Sequence, residues 1–203
     1  MGKSTVAAMV VGLAAMGGCA KVRYPDYYTL NPPKPISPPR TSVPIAATVV
    51  VREFRAPEYL RQGPIVYRPE PNQIVFYDYH HWAENPRRIV TAAIVSELQG
   101  LFETTELYDG HSDADFLVTG SLDHLEEVDN GGSISVEVGI SAKLQNLKSG
   151  DIVWSGTSSK TSRVDQRSIS GIVAEMSRDM GEAAGQLVSS MRTRVSQRSL
   201  SNP

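Results

Sequence analysis

The chain has 203 residues, of which 40% are hydrophobic and 21% charged, enough apolar material for a real core and too much for wholesale disorder. Its formal net charge is −2 and its pI about 6.1, so no global basic field invites nucleic acid. Its single cysteine, Cys19, excludes an internal disulfide, an iron–sulfur centre and a cysteine-rich zinc site.

The N-terminus reads as a targeting segment. Lys3 supplies a short positive region, residues 6–16 are apolar, and Gly17 and Gly18 follow. The apolar run falls short of the roughly 20 residues a bilayer span needs, which is the layout of a secretory signal. Small residues ahead of Cys19 resemble the lipobox of bacterial lipoproteins, with Met16 and Gly17 in place of the usual Leu and Ala or Ser. The resemblance implies a signal peptide over 1–18, cleavage before Cys19, and acylation of that residue. Ala20, rather than Asp, after the cysteine resembles the outer-membrane-sorted class.

Residues 19–45 read as a lipidated, proline-rich tether. Residues 31–44 contain Pro32, Pro33, Pro35, Pro38, Pro39 and Pro44, a composition that favours extended polyproline II. Tyr27-Tyr28-Thr29-Leu30 before it reads either as a short edge strand or as part of the spacer. A folded domain is expected over 46–196 and a disordered tail over 197–203. Residues 47–54 are β-branched and predict a strand. Residues 57–71, with four prolines, read as irregular, and 73–79 as an aromatic-rich strand. Asn85-Pro86 predicts a helix start, with Asn as cap and Pro at the first position. Val90, Ile94, Leu98 and Leu101 continue that helix.

Alternation over 116–122, 134–144 and 152–156, separated by Gly-rich turns, predicts an antiparallel meander with one wet face. The chain closes with a helix over 168–195, striped by Ile172, Met176, Met180, Ala183, Leu187 and Met191. Its charged residues exclude a bilayer span, so Gly181 and Gly185 are expected to pack against the sheet. The fold class that follows is α+β: an antiparallel or mixed sheet with two main helices on one face.

Chemistry-bearing patterns are sparse. His80 and His81 are adjacent and face opposite ways in a strand, and no metal site or cofactor is expected. The acid pairs Asp113/Asp115 and Glu126/Glu127 read as solvated strand edges. No nucleophile–base arrangement is specified, so no catalytic residue and no enzyme activity are expected. Arg87 and Arg88 read as a wet helix face that could meet acidic groups. Tyr77, Tyr79 and Trp82 belong to an aromatic block, 76–82, divided between core and interface. These five are the candidate partner-binding residues.

Several elements together resemble the ABC-type transport auxiliary lipoprotein family, the PqiC-like proteins. They are the lipidation cysteine, Tyr27-Tyr28-Thr29-Leu30, Pro57-Glu58-Tyr59-Leu60, Gly63-Pro64-Ile65-Val66-Tyr67-Arg68, and Trp82-Ala83-Glu84-Asn85-Pro86 leading into a helix. The family usually shows Trp-Ala-Glu-Pro-Leu, so Asn85 is a departure. The resemblance implies a periplasm-facing, lipid-anchored protein at the outer membrane, auxiliary to an ABC permease and ATPase with an MCE-domain protein. Such a system moves lipids or related hydrophobic compounds. Homo-oligomerisation is left open. Two other readings remain at this point: an assembly lipoprotein of another envelope complex, and a periplasmic lipid carrier.

Overall fold

The computed structural model describes residues 23–33, 44–110, 113–129 and 131–200. The expected signal peptide, the lipidation residue Cys19, most of the proline-rich stretch and the last three residues lie outside the described residues.

Among the described residues, eight strands and two α-helices follow in the order β1 (Asp26–Tyr28), β2 (Ile45–Val51), β3 (Pro64–Glu70), β4 (Gln73–Trp82), α1 (Pro86–Leu98), β5 (Phe102–Leu107), β6 (Phe116–Asp129), β7 (Ile134–Asn146), β8 (Ile152–Arg163) and α2 (Ile169–Leu200). The architecture is the expected α+β one, with a mixed sheet. Strand β6 organises it. One edge of β6 carries β7 antiparallel along nearly its whole length, from Phe116↔Asn146 to Asp129↔Ile134. The other edge carries two strands in succession: β2 beside Phe116–Val118 and β3 beside Glu127–Val128, both parallel. From there β3 leads to β4 and β1, and β2 leads to β5.

The alternation in β7 has a direct physical consequence. Val136, Val138, Ile140 and Leu144 are fully buried, while Glu137, Ser141 and Lys143 turn to the other face. Helix α2 lies over the apolar face, with Met176, Met180, Ala183, Leu187 and Met191 in the core. Three polar links fix its direction against β8: Ser162 Oγ to Asp179 (2.8 Å), Ser158 Oγ to Gln186 (2.9 Å) and Trp154 Nε1 to Ser190 (3.2 Å). Chain numbers fall along β8 as they rise along α2, so the two run antiparallel.

The structure departs from several sequence expectations. Residues 57–71 are ordered, as a 3₁₀ turn (Glu58–Arg61) and then β3. The prolines are tolerated because Pro64 opens the strand and Pro69 sits where the β3–β4 register shifts. Gly63, at φ 105°, makes the turn into β3, and its carbonyl accepts from Trp82 N–H at 2.7 Å. Strand β5 was not legible: of its six residues only Phe102 is buried. Strand β2 ends at Val51, and Phe54 instead leaves the sheet, its N–H bonded to Thr91 Oγ1 at 2.9 Å.

Gly181 and Gly185 do not meet the sheet. A Cβ at 181 would stand 2.9 Å from Pro33 Cδ, and one at 185 would face the Glu97 carboxylate of α1. These glycines admit the N-terminal strap and the neighbouring helix. The domain also begins earlier than 46: β1 pairs with β4, Leu30 is buried, and Asn31 N–H donates to Ser177 Oγ at 3.0 Å. At the other end α2 runs to Leu200, past the expected start of the tail.

Candidate partner-binding surface

Strand β4 carries three of the five candidate contact residues, and its environment changes along its length. Trp82, at its end, is 5% exposed and belongs to the core, so its indole is not available to a partner. Tyr77 is half-buried. Its hydroxyl donates to Glu127 at 2.6 Å, and its ring lies against Tyr67 with centroids 4.9 Å apart. Burial pushes the Tyr77 phenol up, and the bond to Glu127 adds to the shift. Burial also pushes the Glu127 carboxyl up, against the opposing pull of that same hydrogen bond.

Tyr79 is 38% exposed, with the Arg23 guanidinium 4.5 Å above its ring centroid. Alongside, the β1 register places Tyr27 beside His81, with ring centroids 5.8 Å apart. Tyr24 and Tyr27 are also exposed. Arg23, Tyr24, Tyr27 and Tyr79 thus make an aromatic edge that carries one guanidinium, with the exposed carboxylates of Asp26 and Asp78 interleaved. The two histidines have separate surroundings. His80 meets Tyr28 at 3.3 Å through Nδ1, and His81 meets the Asp78 carbonyl at 3.3 Å through Nε2.

Helix α1 starts as its sequence dictates: Asn85 Oδ1 accepts from Arg87 N–H at 3.1 Å, and Pro86 occupies the first helical position. Arg87 is paired with Glu53 at 2.8 Å, and the more exposed Arg88 lies 3.7 Å from Glu84. Exposed pairs of this kind add little stability, so these charges can be redirected to a partner at small cost. Tyr79 and Arg88 therefore offer open side chains, Tyr77 and Arg87 partly covered ones, and Trp82 none.

Two features escaped the sequence. Glu126 and Glu127 are not solvated edges but buried acids, at 0% and 4% exposure. Glu126 is held by Arg68 Nε at 2.9 Å and by the Tyr59 hydroxyl at 3.0 Å. Burial, followed by the neighbouring Glu126 charge, pushes the Tyr59 phenol up. Arg68 and Tyr59 lie 58 and 67 residues away in sequence, so only the topology brings them together. The second feature is a polar groove of about 680 Å³, lined by Arg52, Arg55, Lys143 and the hydroxyls of Thr119, Ser121 and Ser141, among others. Its signal was present in the polar half of the β6–β8 alternation, which the sequence showed as a wet face without showing that it is concave.

No described helix is long and apolar enough to cross a membrane. The fold is shared with protein XCC0632 from Xanthomonas campestris, at 15% identity and a TM-score of 0.75, covering 86% of this chain and 99% of that one. A second solved protein matches at 13% identity and a TM-score of 0.62, over 85% and 99% of the two chains. The protein CT253 from Chlamydia trachomatis matches at 8% identity and a TM-score of 0.51, over 74% and 98%. No curated protein matches the sequence significantly. At these identities the structural likenesses speak for the fold alone. The sequence speaks for the family: the model of the ABC-type transport auxiliary lipoprotein component matches residues 28–188, and the chain belongs to that family.

Proposed function

We propose that this protein is a non-catalytic, lipid-anchored subunit of an ABC/MCE-type intermembrane transport system, facing the periplasm and docking the transporter at the outer membrane. The family match over residues 28–188 carries this reading. Cys19 is its acylation site, and Ala20 favours sorting to the outer membrane. Three acyl chains bury far more than the single chain that gives only marginal binding, at about 0.8 kcal/mol per CH₂. The domain then needs no membrane-spanning element of its own.

The partner surface is built from Tyr79 and Arg88, with Tyr77 and Arg87 supporting them from partly buried positions. Tyrosine and arginine dominate interface hot spots because each combines a large apolar or planar face with a polar tip. The test is co-purification of the full chain from detergent extracts of its own cells with an MCE-domain protein and an ABC permease, identified by mass spectrometry. Capture of those partners by the parent chain, and its loss in a Tyr79→Ala/Arg88→Ala variant of unchanged melting temperature, is the expected result. A parent chain that captures neither partner overturns the assignment; a variant that captures them undiminished overturns the surface.

A further inference from the structure

The alternation that buries one face of β6, β7 and β8 gives the other face a chemistry of its own. Arg55, just beyond the end of β2, pairs in parallel with Ser121. The register runs on from Ser121 to Ser141 and from Ser141 to Thr157. One row thus carries a guanidinium and three hydroxyls. In the next row Thr119, Lys143 and Ser155 are direct cross-strand neighbours. Residues two apart on a strand share a face, so the rows lie about 7 Å apart on one surface. Their neighbours in sequence, Val118, Ala142 and Leu144, are buried on the other face.

Both rows line the groove of about 680 Å³. Its charge is not balanced. Arg55 and Lys143 are exposed, and among the described residues no ion pair takes either of them. The acid lining the groove, Glu53, is held by Arg87 at 2.8 Å. A third cation, Arg52, packs over the Tyr108 ring at 4.8 Å and keeps its charge. A concave wall of one sign draws anions toward it.

The lining also selects the kind of anion. Among the described residues no aromatic ring lines the groove. Protein interfaces are enriched in aromatic anchors and depleted in Ser and Lys at their cores, so this lining fits a protein partner poorly. Guanidinium, ammonium and hydroxyl donors suit the oxygens of a phosphate. The volume lies within the roughly 300–1,000 Å³ of small-molecule sites, so a phosphate would fill only part of it. The hydroxyls of Ser155 and Thr157 and the Gln145 amide can then bond further polar groups of the same ligand.

We propose that this groove binds a phosphorylated polyol of the phosphoglycerol kind, its phosphate between Arg55 and Lys143 and its hydroxyls on the Ser and Thr floor. The same group exists free in solution and as the headgroup of an anionic phospholipid. The proposal rests on the groove alone, so its failure would leave the family reading untouched.

The test uses the full chain in a polyoxyethylene detergent at low salt. Calorimetric titration with glycerol 3-phosphate should show one saturable site per chain. Arg55→Ala and Lys143→Ala should each weaken it about 10- to 100-fold, the worth of a charge-assisted hydrogen bond. Ser121→Ala should weaken it about 2- to 10-fold. Ser159→Ala, on the same face outside the groove, should leave it unchanged. Arg55 and Lys143 are exposed, so unchanged melting temperatures will separate lost binding from lost folding. Inorganic phosphate should bind more weakly than glycerol 3-phosphate, and glycerol not at all. Competition by micelles doped with phosphatidylglycerol, and not by micelles doped with phosphatidylcholine, supports the proposal with a membrane-borne source; no competition supports it with a soluble one. Absence of saturable binding, binding unchanged in both charge variants, equal affinity for inorganic phosphate, or saturable binding of an acidic peptide in place of glycerol 3-phosphate overturns the proposal.

Discussion

Tyr77→Phe isolates one hydrogen bond whose value should depend on pH. The substitution removes the donor that lies 2.6 Å from Glu127 and leaves the ring packed on Tyr67. Glu127 is 4% exposed, so no water replaces the lost donor freely. A hydrogen bond to a charged group contributes about 1.5–3 kcal/mol, against about 1 kcal/mol for a neutral one. Burial raises the Glu127 pKa in the folded state, so the folded protein holds this proton more tightly than the unfolded chain does. The stability from that group is therefore complete at acid pH and is lost as pH rises through the folded pKa. Removing the Tyr77 donor raises that pKa further, and the gap between variant and parent should widen from acid to neutral pH. Urea denaturation at pH 4.5 and 7.5 should give a cost of about 1 kcal/mol at the lower pH and about 1.5–3 at the higher. The higher figure corresponds to a fall in melting temperature of about 3–12 °C for a chain of this size. In a Glu127→Gln background the same substitution should show no pH dependence. An equal cost at both pH values in the parent background would refute the reasoning.

Three other outcomes follow from particular residues. Gly120→Ala would drive a Cβ into the Phe54 ring and to 2.5 Å from the Ser141 carbonyl oxygen, so a loss of about 1–3 kcal/mol is expected. Adding Phe54→Leu should restore only part of that loss, because the carbonyl contact remains; full recovery would show that the ring alone matters. Cys19→Ser should release the chain from membranes in fractionation and abolish palmitate labelling, and persistent labelling would remove the case for lipidation. Tyr24→Trp in the lipidated chain should gain fluorescence that brominated phospholipids quench beyond the background of the two buried tryptophans; an unquenched probe would separate the β1 edge from the membrane.

What the sequence showed was whatever a local pattern could carry. The β7 alternation specified a half-buried strand because each apolar residue had to reach the same face. The Asn85-Pro86 pair specified a helix start because cap and fixed φ are properties of those two residues. The stripe of α2 specified its buried side. Strand β3 was hidden by Pro64 and Pro69, whose effect depends on where the ladder happens to be interrupted. Strand β5 was hidden because Glu103, Thr104, Thr105 and Glu106 have no period, and its place comes from parallel pairing with β2. The environment of Glu126 could not be read because Arg68 and Tyr59 arrive from another branch of the sheet. Of the contact residues, Tyr79 and Arg88 were placed as a surface pattern suggests, while Trp82 went to the core at the end of β4, where β1 pairs beside it.

The strap changes what the proline-rich segment can do. Residues 19–45 read as a lipidated tether in which Tyr27-Tyr28-Thr29-Leu30 is either a short edge strand or spacer; in the fold β1 is paired to β4, Leu30 is buried, and Pro33 lies against Gly181 of α2. The chain therefore reaches its domain before most of the proline-rich stretch. If Cys19 carries the anchor, distance from the membrane would instead be set by the four peptide steps between Cys19 and Arg23, a contour of at most about 14 Å. A lipidated Cys19 would hold the aromatic edge of Arg23, Tyr24 and Tyr27 at the headgroup level, where tyrosine rings and snorkelling arginine serve as anchors. Partner contact then uses Arg88 and the part of Tyr79 that Arg23 leaves exposed at the border of that edge. Arg88 at the start of α1 and the polar groove over β6–β8 are among the described exposed polar surfaces outside that edge.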